Sequence, residues 1–389
     1  MKLYGKLIVF LQCRNISYID NMITKLHLVN WKSFKDSIVY IDPLTFLIGT
    51  NASGKSNVLD AFQFMHLLMK GMTLEEAAAA IRGGEDWIIR QGQDWFELAV
   101  TIENGELEYE YSIHVKKDNV GLTFMENYIY VSSKNNPNKI YEDKYLALDV
   151  STNIYIGVEK TLPSQDSKEV ISVVRDALKS IFVLNPDPQA MRKYSKLSKE
   201  LSMNAGNIAG VIAALKPEEK EQLEEKLTKY VKPLPERDIN KITAVTVGLS
   251  GSDAMLYCFE DWNPHTPVDA RGMSDGTLRF AAIIVSLLTL KPGSLLIIEE
   301  VDNGLHPSRA RELVKVLKEI STERQIDVLC TTHNPVLMDE LGNSMIPFIS
   351  FVKRDKQGNS YIQLLEDKDN LAKLMASGTV GDMMKEDVL

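Results

Sequence analysis

Apolar residues change their spacing from segment to segment along this chain, and the spacing predicts the elements. Met22-Ile23-Thr24-Lys25-Leu26-His27-Leu28 alternates as a half-exposed strand does. Trp95 to Val115 alternates over a longer stretch interrupted by Glu103-Asn104-Gly105, the pattern of an antiparallel hairpin and its turn. Leu44-Thr45-Phe46-Leu47-Ile48, Leu295-Leu296-Ile297-Ile298 and Asp327-Val328-Leu329-Cys330-Thr331 are apolar with little alternation, which predicts buried strands. Helical spacing takes over from about Asn57 to Met69, from Val170 to Phe182, from Ala209 to Tyr230, and from Ser274 to Leu290, where Lys291-Pro292-Gly293 ends it. A last hairpin runs from Phe348 to Leu365 around Lys356-Gln357-Gly358-Asn359, followed by a short helical tail.

This order predicts an α/β fold with a mixed sheet, divided into three parts. Residues 1–130 form an N-terminal half with an antiparallel β lobe, 131–240 an inserted, mostly helical lid or arm, and 241–389 the C-terminal half. Residues 1–21 stand before the first alternating strand, as an extension or an added edge strand. The charged stretch Lys216 to Lys226 within the insertion reads as a solvated helix face.

A chain of 389 residues, 44% hydrophobic and 25% charged, is long enough to bury a large core. Its formal charge of -9 gives no support to a surface dominated by phosphate contacts, so nucleic acid stays open as a partner without backing from composition. Cys13, Cys258 and Cys330 lie far apart and form no Cys-x-x-Cys pair, which argues against a zinc site or disulfide framework and fits the cytoplasm. Leu7-Ile8-Val9-Phe10-Leu11 is too short to span a bilayer, and no membrane association is expected.

Chemistry enters at the end of the first buried run. Gly49-Thr50-Asn51-Ala52-Ser53-Gly54-Lys55-Ser56 has the spacing of a phosphate-binding loop between a strand and a helix. Its backbone N–H groups would curl around the phosphates of ATP, Lys55 would reach the β and γ oxygens, Ser56 would ligate Mg²⁺, and the helix opening near Asn57 aims its positive end at the same anion. Ser274-Asp275-Gly276 opens the strongly apolar helix, with Ser274 a natural N-cap and Gly276 leaving room for a second anion. Glu299-Glu300 closes a buried strand, where paired carboxylates require a cation. Successive strand side chains point to opposite sides, so one can serve Mg²⁺ while the other polarises the attacking water. His333 follows the strand ending at Thr331, at an end where parallel sheets bind ligands, and could sense the γ-phosphate.

Taken in order, the phosphate loop, the Ser-x-Gly helix, the double-acid strand, the loop Val301-Asp302-Asn303-Gly304-Leu305-His306-Pro307 and the histidine of Thr332-His333-Asn334-Pro335 resemble the ABC-type ATPases of the RecF, SMC and OLD group. The resemblance covers most of the chain from Met22 onward and implies an ABC-type P-loop ATPase head. It implies that Ser56 and Glu299 serve Mg²⁺, that Glu300 is the general base and that His333 senses the γ-phosphate. It further implies that Gly49 to Asn57 hold ATP while Ser274 and Gly276 bind the γ-phosphate of a second protomer, which calls for a head-to-head homodimer, or a higher oligomer built from it. The chain departs from the group's commoner Glu-Glu-Pro-Glu-Asn-Gly by placing Val301 and Asp302 after the acids. Gln91 and Gln93 both fit the expected glutamine after the first helix, and Phe34 lies where related heads approach the base. OLD proteins append a nuclease domain after the switch histidine, whereas only a hairpin and tail follow here, with Asp367-Lys368-Asp369 read as a solvated loop. Stand-alone heads of this kind resemble the ATPase subunits of bacterial anti-phage systems, which control a separately encoded effector. The competing expectation is a DNA-repair or chromosome-maintenance ATPase that clamps DNA directly.

Overall fold

The computed structural model describes residues 21–133, 145–146, 167–233, 239–248, 251–306, 309–369, 371, 375–376 and 378–385. Residues 1–20 of the 1–21 extension, much of the insertion's first third, and Pro307 lie outside the described residues, Cys13 among them. The chain divides into two compact units. The first runs through Phe182 and takes in Gly293–Ile297 and Ile346–Leu371, and the second comprises Val183–Pro292, Ile298–Met345 and the chain from Ala372 onward.

In the first unit the order is β1 (Met22–Val29), β2 (Asp36–Tyr40), β3 (Leu44–Ile48), α1 (Lys55–Met69), α2 (Leu74–Ala79), α3 (Gly84–Trp87), β4 (Trp95–Asn104), β5 (Leu107–Lys117), β6 (Leu122–Ser133), β7 (Tyr145–Leu146) and α4 (Ser167–Lys179). Six of these strands form an antiparallel sheet in the order β2-β1-β4-β5-β6-β7. Its register sets Leu26 opposite Val100 and Leu28 opposite Leu98, so the alternation read in the sequence puts one apolar set on a common buried face. The β4–β5 turn falls at Gly105, where φ is 58°. A second, mixed set of strands joins β3 in parallel to β15 (Ile349–Arg354), which pairs antiparallel with β16 (Ser360–Leu364). All five residues of β3 are buried, as its unbroken apolar run requires.

The second unit begins within β8 (Ile181–Leu184) and continues through α5 (Pro188–Met191), β9 (Ser195–Lys196), α6 (Ile208–Ala213), α7 (Pro217–Val231), β10 (Ile239–Val247), β11 (Asp253–Glu260) and β12 (Asn263–Asp269). The run from Ala209 to Tyr230 is two helices rather than one, because Pro217 cannot continue α6 but suits the first turn of α7. α8 (Asp275–Thr289), β13 (Leu295–Ile298), α9 (Ala310–Arg324), β14 (Asp327–Thr332), α10 (Pro335–Leu341) and α11 (Val380–Lys385) follow, with β13 carrying the chain from the first unit into the second. α8 hides eleven of its fifteen residues, which is why its sequence is apolar on nearly every face. No helix among the described residues is long and apolar enough to cross a membrane.

Candidate nucleotide site

β3 delivers the chain into Gly49–Ser56, and the loop turns through left-handed backbone at Ala52 (φ 64°) and Gly54 (φ 118°). A Cβ at Gly54 would lie 2.5 Å from the Ser360 hydroxyl, so only glycine satisfies both the conformation and the space. α1 starts at Lys55 with no side-chain cap and no acidic residue in its first turn, so the positive end of its dipole meets no carboxylate of that turn and suits an anion. Lys55 is folded into the loop, its Nζ donating to the carbonyls of Gly49 at 2.6 Å and Thr50 at 2.9 Å. Thr50, Asn51 and Ala52 are exposed, Ser53 is buried, and Ser56 and Asn57 are half-buried. An uncapped, acid-free helix end beneath a loop gathered on a lysine fits a polyphosphate, and the Ser56 hydroxyl at that end fits a hard cation such as Mg²⁺.

The segment Trp31-Lys32-Ser33-Phe34 braces this helix. Trp31 is fully buried, stacks edgewise against Phe96 at 5.1 Å, and donates from Nε1 to the Asn57 carbonyl at 2.7 Å. Lys32 Nζ donates to Asp60 at 2.6 Å and to the Arg82 carbonyl at 2.6 Å. Arg82 meets Asp60 through Nε at 3.0 Å and Nη2 at 2.9 Å, and also donates to the Ser56 carbonyl at 3.0 Å. Asp60 is 2% exposed, so this is a nearly dry carboxylate between two cations, one turn beyond Ser56. Burial pushes the Lys32 ammonium below the ordinary lysine range, and Asp60 partly offsets it. The sequence reading missed this triad, though Asp60 is a lone acid inside Val58-Leu59-Asp60-Ala61-Phe62 and could have signalled it. Phe34 departs from expectation: it is fully buried and bridges to Ser360, so its ring is core and has no face for a base. Gln91 and Gln93 are both exposed in one turn, which does not distinguish them.

In the second unit Ser274 caps α8, its Oγ accepting the Thr277 N–H at 3.1 Å. Arg192, just past α5, donates to the Met273 carbonyl at 2.9 Å and to Asp275 at 2.5 Å, fixing the helix start. Gly276 is buried rather than bare: a Cβ there would stand 2.8 Å from the Gly304 carbonyl and 2.7 Å from Arg309. The glycine lets the Ser274 helix approach the loop after the double acid.

Glu299 and Glu300 follow the buried strand β13, both half-buried. Glu300 sits in left-handed backbone at φ 46°, costing on the order of 1–2 kcal/mol for a residue with a Cβ. Its N–H donates to Thr331 Oγ1 at 2.9 Å, and Val301 N–H bonds the Thr331 carbonyl at 3.0 Å, so the end of β14 holds the turn in place. Asn303 Nδ2 donates to Glu300 at 3.2 Å, and His333 Nδ1 lies 3.9 Å from its other oxygen. Thr332 donates to Asp302 at 2.6 Å and accepts from Asn334 N–H at 3.0 Å, which shapes the turn bearing His333. Strain at a half-exposed carboxylate beside a histidine is the kind of outlier that collects at functional sites. Asp302, whose role the Val-Asp departure left open, supports this turn through Thr332. Thus Glu300 and His333 come together, with Glu299 adjacent in the chain, while Gly49 to Asn57 are built in the other unit. No group of three or more His, Cys, Asp or Glu side chains poised to hold a metal occurs among the described residues.

A family model described as "AAA domain, putative AbiEii toxin, Type IV TA system" matches residues 44–339. Two curated relatives, both the DNA replication and repair protein RecF, from two strains of Porphyromonas gingivalis, are 24% identical over 202 residues. That alignment takes in 46% of this chain and 54% of theirs, so the chain spans about half the length of the curated relatives it matches. The Smc head domain with an extended coiled coil bound to the C-terminal domain of ScpA, from Pyrococcus furiosus, superposes with a TM-score of 0.54 at 14% identity, covering 92% of this chain and 99% of that one. The SmcHead bound to the C-winged helix domain of ScpA gives 0.53 at 16% identity, over 88% and 97%. These likenesses show the fold, an ABC-type P-loop head with mixed and antiparallel sheets.

Proposed function

The chain belongs to the AAA-domain family matched over residues 44–339, and we propose that it is an ATPase of the RecF/SMC-like group, a Mg²⁺-dependent ATP switch that controls a separate effector. The observation that carries this reading is the Gly49–Ser56 loop gathered on Lys55 at the uncapped start of α1. ATP hydrolysis is general to the family, and on this reading the chain converts ATP to ADP and phosphate. Bound Mg²⁺ would neutralise charge developing on the phosphates. Ser56 and Glu299 would hold it. Glu300 would accept the proton of the attacking water, its strained backbone and the Asn303 amide fixing where the carboxylate points. His333, beside Glu300, would report the γ-phosphate to α10, whose N-cap Asn334 follows it directly. Ser274 and the α8 start would bind the γ-phosphate of a second copy, so ATP closes a head-to-head dimer and hydrolysis opens it.

The effector would dock on the inserted region 131–240, which supplies none of these residues. The putative toxin system in the family description supports control of a toxic effector, and on this reading that pairing serves anti-phage defence in the cytoplasm. The RecF name of the curated relatives favours a second reading, in which the closed dimer clamps DNA itself. One set of measurements separates them. The purified chain should hydrolyse ATP only with Mg²⁺, and should co-purify with the product of an adjacent gene in an ATP-dependent manner. DNA affinity falling steeply with salt would favour the clamp, since neutralised phosphates release counterions. No ATP turnover with any divalent cation would sink both.

A further inference from the structure

The last hairpin reaches the phosphate loop from the far end of the sequence. Ser360, which opens β16, is 2% exposed, and its N–H donates to the Ser33 carbonyl at 2.8 Å. Its hydroxyl lies 2.5 Å from the Ser53 carbonyl and 2.7 Å from the Ser33 hydroxyl. A carbonyl only accepts, so Ser360 gives its single proton to Ser53. Ser33 must then donate to Ser360, which leaves Ser33 free to accept the Asn57 amide N–H at 2.7 Å. The result is a one-way relay from Asn57 through Ser33 and Ser360 to Ser53, with each hydroxyl donating once and accepting once. Bonds in such a series polarise one another, and both ends of this one rest on the nucleotide loop or the first turn of α1.

The neighbouring residue makes a parallel tether. Asn359 Oδ1 accepts from Arg90 Nε at 2.9 Å and Nη2 at 2.6 Å, while Asp355 holds the Asn359 amide at 2.8 Å. Arg90 immediately precedes Gln91, and Gln93 N–H returns to the Arg90 carbonyl at 3.0 Å. Two adjacent residues of one hairpin therefore grip the Ser53–Gly54 peptide and the turn carrying both candidate glutamines. We propose that Asn359 and Ser360 are positioning residues for nucleotide binding, which set the phosphate loop and the Gln91–Gln93 turn together. The role rests on the reading of Gly49–Ser56 as an ATP loop.

Ser360→Ala is the test, read by binding of a fluorescent ATP analogue, by steady-state kinetics and by amide exchange over residues 49–58 without nucleotide. Loss of one buried hydrogen bond to the loop should weaken nucleotide binding about tenfold, equivalent to about 1.4 kcal/mol. A positioning role predicts that turnover at saturating ATP stays within about twofold, because the groups on the reacting centre are untouched. Amide exchange over 49–58 should quicken, and Ser360→Thr, which keeps the hydroxyl, should restore both measurements in part. If Ser360→Ala does not fold, Ser33→Ala breaks the same relay one hydroxyl earlier and should move binding and exchange the same way. Parental exchange and parental affinity in a folded variant would overturn the proposal. A parental chain that binds no ATP would overturn the nucleotide reading instead, and the exchange measurement would still decide whether the relay fixes the loop.

Discussion

Removing the carboxylate of Asp60 should destabilise the first unit by an amount the geometry sets. The Asp60 side chain is 2% exposed and the Lys32 side chain 6%, whereas the Arg82 side chain is 50% exposed. In Asp60→Ala the Arg82 guanidinium can turn into water, so its loss costs little, about 0–1 kcal/mol. Lys32 cannot turn out: its ammonium would keep the Arg82 carbonyl and the Trp31 ring 5.9 Å away but lose its carboxylate, and breaking a buried pair from one side costs roughly 3–5 kcal/mol. Burial already depresses Lys32, and without Asp60 it can shed its proton rather than stay charged, so the lower end, about 3 kcal/mol, is expected. Thermal unfolding should fall by roughly 6–12 °C at about 2–4 °C per kcal/mol. The pH dependence has a definite sign. A lysine depressed in the folded state penalises folding below its ordinary value of 10.5 and ceases to do so above it, so the deficit should narrow as pH rises toward 10.5. The double change Lys32→Met with Asp60→Leu should recover most of the loss, because an apolar pair leaves no charge stranded. A drop of under about 2 °C in the single variant, or a double variant no better than the single, would refute the reasoning.

The other expectations concern turnover and assembly. Glu300→Gln should bind ATP as the parent does, lose about 10²- to 10⁴-fold in turnover, and accumulate as a closed dimer by light scattering; parental turnover would remove Glu300 as the base. Ser274→Arg should block activity without loosening nucleotide binding, and mixing it with Lys55→Ala should restore part of the activity through one intact composite site, whereas no recovery at any ratio would count against sites shared between protomers. Gly276→Ala places a Cβ 2.8 Å from the Gly304 carbonyl, an overpacking that should cost about 1–3 kcal/mol in thermal stability, and a melting curve matching the parent would show that α8 and that loop do not press together.

Much of the fold was legible because apolar spacing reports burial directly. The alternation of Trp95 to Val115 became β4 and β5, and the unbroken Leu44 to Ile48 became a fully buried strand. Reading failed where a residue's chemistry depends on who meets it across the chain. Phe34 has an aromatic's usual ambiguity, and only its complete burial shows it to be core. Gly276 looked like open space for an anion, since nothing local reveals that the Gly304 carbonyl presses on it.

The candidate site divides the same way. Its phosphate loop is a contiguous motif whose backbone geometry follows from eight successive residues, so the sequence carries it whole. Its support does not share that property: Ser360 is 307 residues from the Ser53 carbonyl it bonds, and Arg90 is 269 from Asn359. A serine or an asparagine in a polar hairpin has no periodicity that distinguishes a tether from a solvated turn, and Lys356-Gln357-Gly358-Asn359 reads only as a turn. What reveals these residues is a requirement of the loop itself. Ala52 holds left-handed backbone, which is costly for a residue with a Cβ, and such a conformation persists only where neighbours over-determine it. A strained residue in the phosphate loop therefore calls for neighbours that hold it, and Ser360, bonded to the Ser53 carbonyl and linked through Ser33 to Asn57, is among them.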